Sequence, residues 1–295
     1  MKVRLTLARW YLGLHGLALL RSYPFGDPKE AESRMEAMRS LLQPRGDDGL
    51  FDVREYEVFD TAEAYELWAE TYDEPNPLIQ AEEAVLIAHL DQLPAGLALD
   101  VATGTGRVAR HLVERRHRVI ACDRSNAMLR CAAERVEGIP LVHAALPDLP
   151  FRPSSLDLVT CSLALTHVSD LRKAVTSLGR LLRPGGALVI SEIHPFAVLT
   201  GAHAFFRRSD DSRAVTRNEQ HRFSDYVTVA LDAGLTIEAC SEAVVDEQLL
   251  RDFDIVDDQL EPERALLGLP FSLVLTLRRR IEPALDSGDP RPNPL

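Results

Sequence analysis

The chain has 295 residues, of which 46% are apolar and 26% charged, the composition of an ordinary folded protein with enough length for one large core or two modest ones. Its formal net charge of −12 at pH 7 disfavours nucleic acid as a partner, because phosphate binding needs basic patches. The four cysteines show no Cys-x-x-Cys spacing, so we expect reduced thiols, a cytoplasmic location and no metal site.

Residues 1–60 form an N-terminal extension that we predict to be helical. The apolar run from Leu5 to Leu20 is interrupted by an arginine and a histidine, and it is shorter than an integral membrane span. It therefore predicts a helix that packs on the main domain or on a second copy of the chain in a homodimer, with peripheral membrane contact as the alternative. A second helix is predicted from Pro28 to Leu42, where Asp27 can cap the first turn.

The main domain is predicted to span residues 61–280. Helices at 62–71 and 79–93 precede its first strand, and strands then alternate with helices. The first five predicted strands are 97–102, 118–123, 140–143, 156–162 and 186–193. This alternation predicts an α/β fold with a parallel sheet and right-handed crossovers, in which ligands bind at the C-terminal ends of the strands.

The alternation ends after the fifth strand. Residues 194–221 form a long insertion that we expect to act as a lid or as part of a substrate pocket. A helix at 224–233 and strands at 236–245 and 271–278 complete the domain. The tail, 281–295, is rich in proline, glycine and aspartate and is expected to be flexible.

The segment Leu99-Asp-Val-Ala-Thr-Gly-Thr-Gly-Arg107 carries the clearest functional signal. An apolar strand runs into a turn at Gly104 and Gly106, where the missing side chains let a ligand approach the backbone. The following helix, from Val108 to Arg115, points its free N–H groups at that turn. Asp123 ends the next strand, where its carboxylate can accept both hydroxyls of a ribose. Together these features predict a nucleotide-type site.

The same pattern fits the dinucleotide fingerprint of NAD enzymes, as Gly104-x-Gly106-x-x-Ala109 with an acidic residue further along. Later segments separate the two possibilities. Leu156 to Val168 is a strand that runs straight into a helix, and Leu182 to Ile190 is a helix end, a Pro-Gly-Gly turn and a strand. With Leu149-Pro-Phe151, these segments make the chain resemble the class I S-adenosylmethionine-dependent methyltransferases. The sequence motif LDVATGTG is most similar to that of the branch that includes the quinone-biosynthesis C-methyltransferases.

The resemblance covers roughly residues 65–278. It implies a Rossmann-like, doubly wound sheet of seven strands that is mostly parallel, with the last strand antiparallel. It also implies an S-adenosylmethionine-dependent methyltransferase, with S-adenosylmethionine as the cofactor and a small molecule as the methyl acceptor.

In this family pattern each part of the cofactor has an expected partner. Asp100 would hold the ammonium group of the amino-acid tail, directly or through water, and Asp123 would bind the ribose hydroxyls. Ser162 would form part of the floor beneath the sulfonium. Alanine stands at 102 where the family usually has glycine, and Ala144-Ala-Leu146 lacks the aspartate that the family often uses for the adenine. Tyr72 would cover the cofactor, or else be an ordinary core aromatic. The full predicted cofactor site is Tyr72, Asp100, Ala102, Thr103, Gly104, Gly106, Asp123, Arg124, Met128, Leu146, Ser162 and Leu163.

Methyl transfer needs at most one catalytic base, which deprotonates the acceptor. His167 and His194 are the candidates, because each follows a strand that ends at the ligand edge and histidine titrates near neutrality. For both, a hydrogen-bonded structural role is equally open. Weaker candidates are Glu192, His221 and Tyr226.

Aromatic residues of the extension and the insertion suggest an apolar or aromatic acceptor pocket. They are Trp10, Tyr11, Phe196, Phe205 and Phe206. We therefore predict methyl transfer to an aromatic, quinone-like or secondary-metabolite acceptor, at oxygen, nitrogen or carbon. An NAD(P)-dependent oxidoreductase is disfavoured by the Pro-Gly-Gly turn and by the absence of a Tyr-x-x-x-Lys pair near the fourth strand. A cofactor-binding protein, or an enzyme that uses the same pocket without transferring methyl, stays open because fold does not determine function.

Overall fold

The structure is a computed structural model that describes residues 1–43, 49–252 and 262–281. Its strands are β1 (Lys2–Leu5), β2 (Arg54–Phe59), β3 (Leu97–Val101), β4 (Arg118–Asp123), β5 (Leu141–His143), β6 (Leu156–Ser162), β7 (Leu182–Ile193), β8 (Ala204–Arg207), β9 (Arg213–Thr216), β10 (Leu235–Val244) and β11 (Pro270–Arg279). Its α-helices are α1 (Leu7–Ser22), α2 (Pro28–Leu41), α3 (Thr61–Trp68), α4 (Pro77–Leu90), α5 (Arg107–Glu114), α6 (Asn126–Arg135), α7 (Leu171–Leu181), α8 (Pro195–Leu199), α9 (Phe223–Asp232) and α10 (Glu247–Asp252). Short 3-10 turns lie at Leu165–His167 and Pro262–Leu266.

Seven strands form the main sheet, in the order β10-β11-β7-β6-β3-β4-β5. Strands β3 to β7 pair in parallel, and β11 runs antiparallel to both β7 and β10. Parallel neighbours need crossover connections, and the helices in these crossovers cover the sheet. The predicted doubly wound, seven-stranded, mostly parallel fold is confirmed, including its antiparallel last strand.

Strand β3 shows why its sequence is apolar on both sides. Neighbouring residues of a strand point to opposite faces of the sheet. Leu99 packs in a core with residues of α7 and α9, whereas Ala98 packs in a second core with residues of α4 and α5. Since both faces are buried, the parallel strands are nearly continuous apolar runs, and such runs can be located from the sequence.

The predicted strands 118–123 and 156–162 coincide with β4 and β6. Two details around β6 and β7 differ from the sequence prediction. The turn expected before residue 186 is instead part of β7, which begins at Leu182 and pairs with β6 through a register shift. The helix expected directly after β6 is one 3-10 turn, Leu165–His167.

A second sheet, in the order β1-β2-β9-β8, joins the N-terminal extension to the insertion. Strand β2 pairs in parallel with β9, so that Glu57 lies opposite Ala214. The sheet packs on α3 through a small core that includes Ala64, Phe206 and Ala214. The extension contains the two predicted helices, α1 and α2, and the strands β1 and β2, which were not predicted, accompany them. A strand whose partner is far along the chain carries little local signal.

Helix α1 packs on its own chain, where Tyr11, Leu14 and Ala18 form a core with Ala265. This is one of the two packing roles predicted for it, and a homodimer through the extension stays a prediction. Among the helices of the described ranges, none is both long and apolar enough to cross a membrane. The domain limits at 61 and 280 also stay predictions, and residues 282–295 of the predicted tail lie outside the described residues.

Candidate cofactor and active site

A cleft opens at the C-terminal ends of β3, β4 and β6, the edge where ligands bind in parallel α/β sheets. The predicted site residues in its lining are Tyr72, Ala102, Gly104, Asp123, Arg124, Leu146, Ser162, Leu163 and His167. Tyr65, which the sequence did not single out, lines the cleft as well. Other predicted residues in the described part of the chain lie outside this lining, namely Asp100, Thr103, Gly106, Met128 and His194.

The glycine turn after β3 is left-handed at three positions, with φ of 55° at Ala102, 55° at Gly104 and 85° at Gly106. A Cβ at Gly104 would meet no atom within 4 Å, so this glycine faces open space on the cleft side. A Cβ at Gly106 would lie 3.3 Å from Ala132 and from Val136. Gly106 therefore serves the packing of α5 against α6 rather than the approach of a ligand, which corrects its predicted role.

Asp123 ends β4 and exposes 6% of its surface at the cleft. Its Oδ2 accepts a hydrogen bond from the N–H of Gly104 at 2.8 Å, and its Oδ1 accepts one from the N–H of Ser125 at 2.8 Å. Burial raises the pKa of Asp123, and these backbone donors oppose that rise. Each carboxylate oxygen has two acceptor sites, so both can still receive a ligand hydroxyl.

Asp100 lies beneath the turn and is buried. The hydroxyls of Thr103 and Thr160 donate to its two oxygens at 2.6 Å each. Burial raises the pKa of Asp100 to about 6. Asp100 and Thr103 thus fix the shape of the turn, and the contact of Asp100 with the tail ammonium, directly or through water, stays a prediction.

A buried ion pair stands behind Ser162 on the floor of the cleft. Nη2 of Arg107 lies 3.0 Å from Oε2 of Glu82 and 3.2 Å from the hydroxyl of Ser162. The Ser162 hydroxyl also lies 3.3 Å from Oε1 of Glu82, which is 1% exposed. The two charges of this pair lie beside the floor and outside the lining of the cleft. The sequence prediction missed Glu82, although an acidic residue inside the apolar run of α4 is a usable signal.

His167 lies at the end of the 3-10 turn after β6 and lines the cleft. Its Nε2 is 2.9 Å from the hydroxyl oxygen of Tyr65, and its Nδ1 is 3.2 Å from the carbonyl oxygen of Arg217. Burial lowers the pKa of His167. The imidazole is therefore neutral near pH 7 and is held on both sides, in the place predicted for a base.

The weaker base candidates, Glu192, His221 and Tyr226, lie outside the lining of the cleft. Glu192 is buried and accepts hydrogen bonds from the N–H groups of Ala164, Leu165 and Thr166. Burial raises the pKa of Glu192 to about 8. His221 contacts the carbonyl oxygen of Val168 through Nε2 at 2.8 Å. Tyr226 is buried, and its burial raises the pKa of the phenol.

His194 lies away from the cleft, which removes the support for its predicted catalytic role. Its Nδ1 accepts from the N–H of Phe196 at 3.1 Å and so caps α8, and its Nε2 is 2.9 Å from a carboxylate oxygen of Glu242. Met128 is fully buried in a cluster with Ala69, behind the residues that line the cleft. The predicted flanking contact of Met128 with adenosine is therefore not observed.

The aromatic residues expected in an acceptor pocket are used elsewhere, which corrects that prediction. Phe206 stacks on Trp68 with ring centroids 5.0 Å apart, and Phe205 packs edge to face on Tyr56. Trp10 and Tyr11 of α1 contact each other, and Phe196 lies in α8. Phe206 belongs to the core of the second sheet, and Tyr11 belongs to the core that α1 forms with Ala265.

Comparisons with known proteins place this geometry in a family. A methyltransferase-domain family matches residues 99–190. A demethylmenaquinone methyltransferase from Streptomyces griseus is 30% identical over 174 residues, which cover 56% of this chain and 76% of that protein. One from Thermobifida fusca is 35% identical over 143 residues, 45% of this chain and 61% of that protein, so the chain spans less than two thirds of this relative. A solved S-adenosylmethionine-dependent methyltransferase from Mesorhizobium loti shares the fold, with a TM-score of 0.54 and 23% identity over 68% of this chain and 98% of that one.

The matched region contains the glycine turn and Asp123, which line the cleft, and the Pro-Gly-Gly segment at the start of β7. The chain belongs to the class I S-adenosylmethionine-dependent methyltransferases, in the branch that includes the quinone-biosynthesis C-methyltransferases. The predicted fold and family are thereby confirmed, and the NAD(P)-dependent alternative is set aside.

Proposed function

We propose that this protein transfers the methyl group of S-adenosylmethionine to a small, quinone-like acceptor. The observation that carries the proposal is the position of Asp123. Its carboxylate stands at the end of β4, faces the cleft, and is fixed by the N–H of Gly104 on the neighbouring turn. This arrangement supports the binding of a ribose beside the open backbone of the glycine turn.

The other described residues fit the remaining parts of the cofactor. The wall formed by Ala144, Ala145 and Leu146 offers apolar contact and backbone groups to the adenine. The Glu82–Arg107 pair beside Ser162 offers both charges to the amino-acid tail. The bound cofactor supplies an electrophilic methyl group, and the protein must hold the acceptor in line with it and keep water out.

The rest of the cleft favours a flat, apolar acceptor. Tyr65, Leu163, Ala164 and Val168 line it, so the wall is largely aromatic and aliphatic. The relatives from Streptomyces griseus and Thermobifida fusca are demethylmenaquinone methyltransferases. An electrophilic methyl group needs an electron-rich partner, so we propose the reduced quinol as the acceptor and a ring carbon as the methylated atom.

A first experiment titrates the protein with S-adenosylhomocysteine and, as the control, with NAD. We expect heat of binding from S-adenosylhomocysteine and none from NAD. Binding of NAD without S-adenosylhomocysteine would overturn the cofactor assignment.

A second experiment adds S-adenosylmethionine and demethylmenaquinone that has been chemically reduced, and analyses the product by mass spectrometry. We expect a product heavier by one methylene group, absent when the quinone is left oxidised.

The missing adenine-binding aspartate at Ala144-Ala-Leu146 favours one second candidate, a cofactor-binding protein that transfers no methyl. Binding of S-adenosylhomocysteine without transfer to any quinol or phenol would support that candidate.

A further inference from the structure

Tyr65 and His167 meet at the cleft although they are 102 residues apart in the chain. Tyr65 stands on α3, and His167 ends the 3-10 turn after β6. Their rings pack edge to face with centroids 5.5 Å apart, and the hydroxyl oxygen lies 2.9 Å from Nε2. This is hydrogen-bond distance, so the two side chains form one unit beside the cofactor residues.

The chemistry of the partners gives each hydrogen bond a direction. The carbonyl oxygen of Arg217 can only accept, so Nδ1 of His167 carries the hydrogen. In the neutral ring Nε2 then holds a lone pair and accepts from the Tyr65 hydroxyl. Burial raises the pKa of Tyr65 well above its ordinary value, so the phenol stays protonated. Its oxygen can accept one further hydrogen bond.

Secondary structure orients this unit from two sides. Strand β2 leads into α3 and so to Tyr65, while β9 leads directly to Arg217, whose carbonyl orients His167. Because β2 and β9 pair in parallel, the second sheet fixes both ends of the arrangement. From the main sheet, Glu192 binds the N–H groups of the turn that carries His167. The extension and the insertion thus serve to position the pair.

We propose that Tyr65 and His167 together remove the hydroxyl proton of the methyl acceptor, with Tyr65 as the residue that contacts it. This inference rests on the proposed function. The O–H bond of the acceptor breaks as its proton bonds to the Tyr65 oxygen, while the Tyr65 hydroxyl proton passes to Nε2 of His167. The electron pair of the broken bond stays on the acceptor and makes its ring carbon the stronger nucleophile. Once that carbon has taken the methyl group, its hydrogen leaves as a proton to water and the acceptor oxygen takes up a proton, which restores the quinol. His167 becomes an imidazolium ion, held through Nδ1–H by Arg217, and then releases the proton to water.

Charged neighbours keep the starting state of the unit neutral. Arg124 in the cleft disfavours protonation of His167. Burial and the charge of Asp123 disfavour ionisation of the Tyr65 hydroxyl. The unit therefore begins with a protonated Tyr65 hydroxyl and an unprotonated Nε2 of His167, which can take up the proton.

The test compares Tyr65→Phe, His167→Gln and the double variant. In His167→Gln the side-chain oxygen can accept from the Tyr65 hydroxyl but takes up no proton at neutral pH. Each single variant is expected to lower kcat for reduced demethylmenaquinone by ~10²–10⁴-fold, with acceptor KM and S-adenosylhomocysteine affinity nearly unchanged. The double variant should be about as slow as the slower single variant, because the residues of one relay act as a unit.

Matched controls lie outside the cleft. Tyr56→Phe changes a tyrosine of β2 that packs on Phe205, and His111→Gln changes a histidine of α5 that contacts Asp91. Both controls should keep the wild-type kcat. Wild-type kcat in either cleft variant, or fully multiplicative losses in the double variant, would overturn the proposal.

A second measurement does not depend on the acceptor. Nitrogen NMR of the S-adenosylhomocysteine complex is expected to show His167 as the Nδ1–H tautomer with Nε2 hydrogen-bonded. Tyr65→Phe should shift the Nε2 resonance to that of an unbonded nitrogen, and an unchanged resonance would overturn the pair. Absence of product from the wild-type protein would overturn the proposed function by itself, and the NMR result then decides the pair separately.

Discussion

The carboxylate of Asp123 serves local structure and ligand binding at the same time. It accepts hydrogen bonds from the N–H groups of Gly104 and Ser125, and it still faces the cleft. A structural role and the binding of a ribose are therefore compatible in this one carboxylate. They differ in what they stabilise, since the hydrogen bonds from Gly104 and Ser125 stabilise the fold and the ribose contacts stabilise the cofactor complex.

We expect Asp123→Ala to weaken S-adenosylhomocysteine binding far more than it destabilises the fold. Two charge-assisted hydrogen bonds to the ribose would be lost, each worth ~1.5–3 kcal/mol, so affinity should fall by a factor of ~10² or more. Loss of the hydrogen bonds from the N–H groups of Gly104 and Ser125 should lower the free energy of unfolding by only ~1 kcal/mol, because removal of a buried charge offsets part of that loss. Calorimetric titration and urea unfolding measure the two effects. Asp123→Asn keeps one acceptor oxygen and should lie between, whereas unchanged affinity in Asp123→Ala would leave Asp123 with a structural role alone.

At the scale of elements, the glycine turn serves the ligand and the helix packing through different residues. Gly104 has φ of +55° and open space where a Cβ would stand. Gly106 has φ of +85°, precedes α5, and would press a Cβ against Ala132 and Val136 at 3.3 Å. The first glycine keeps room in the cleft, and the second lets α5 approach α6.

Gly106→Ala is expected to lower the free energy of unfolding by ~2–5 kcal/mol. The left-handed backbone costs a residue with a Cβ ~1–2 kcal/mol, and overpacking the contact with α6 adds ~1–3 kcal/mol. Gly104→Ala is the matched control, since it carries only the backbone cost of ~1–2 kcal/mol and should instead weaken S-adenosylhomocysteine binding. Urea unfolding of both variants provides the comparison. Equal destabilisation would contradict the separate roles.

For the whole molecule, buried carboxyl groups connect stability to pH. Burial raises the pKa of Glu192 to about 8 and that of Asp100 to about 6. In an unfolded chain these groups ionise near pH 4–4.5. Across the interval between these values the folded protein holds protons that the unfolded chain releases, so a rise in pH favours unfolding through both groups.

Glu192→Gln is expected to remove the larger part of this effect. From about pH 4.5 to about 8 the free energy of unfolding of the wild type should fall relative to that of the variant, by at most about 1.4 kcal/mol per pH unit. Urea unfolding at a series of pH values measures the difference. Glu238→Gln is the control, because Arg278 lowers the pKa of Glu238 and confines its contribution to acid pH, so its difference from the wild type should stay flat from pH 5 to 8. Parallel pH curves for the wild type and Glu192→Gln would contradict the assignment.

The sequence by itself determined the order of elements in the main domain and the strand ends that carry Gly104, Asp123 and Ser162. Parallel strands buried on both faces are short apolar runs, which is why β4 and β6 could be placed to the residue. Gly104, Asp123 and Ser162 lie at or just beyond the ends of such strands, and the C-terminal ends of parallel strands share one edge of the sheet. The contacts of these residues therefore depend on local order along the chain.

Only the tertiary structure decided the acceptor side. His167 and His194 both follow strands of the main sheet, but the turn after each strand sets the direction of its side chain. The 3-10 turn brings His167 to Tyr65, whereas the start of α8 holds His194 against Glu242. Strands β2 and β9 likewise become neighbours only when distant segments pack together, and they carry Tyr65 and Arg217 with them. Side-chain direction and long-range strand pairing depend on the packing of the whole molecule, and no local pattern of residues encodes them.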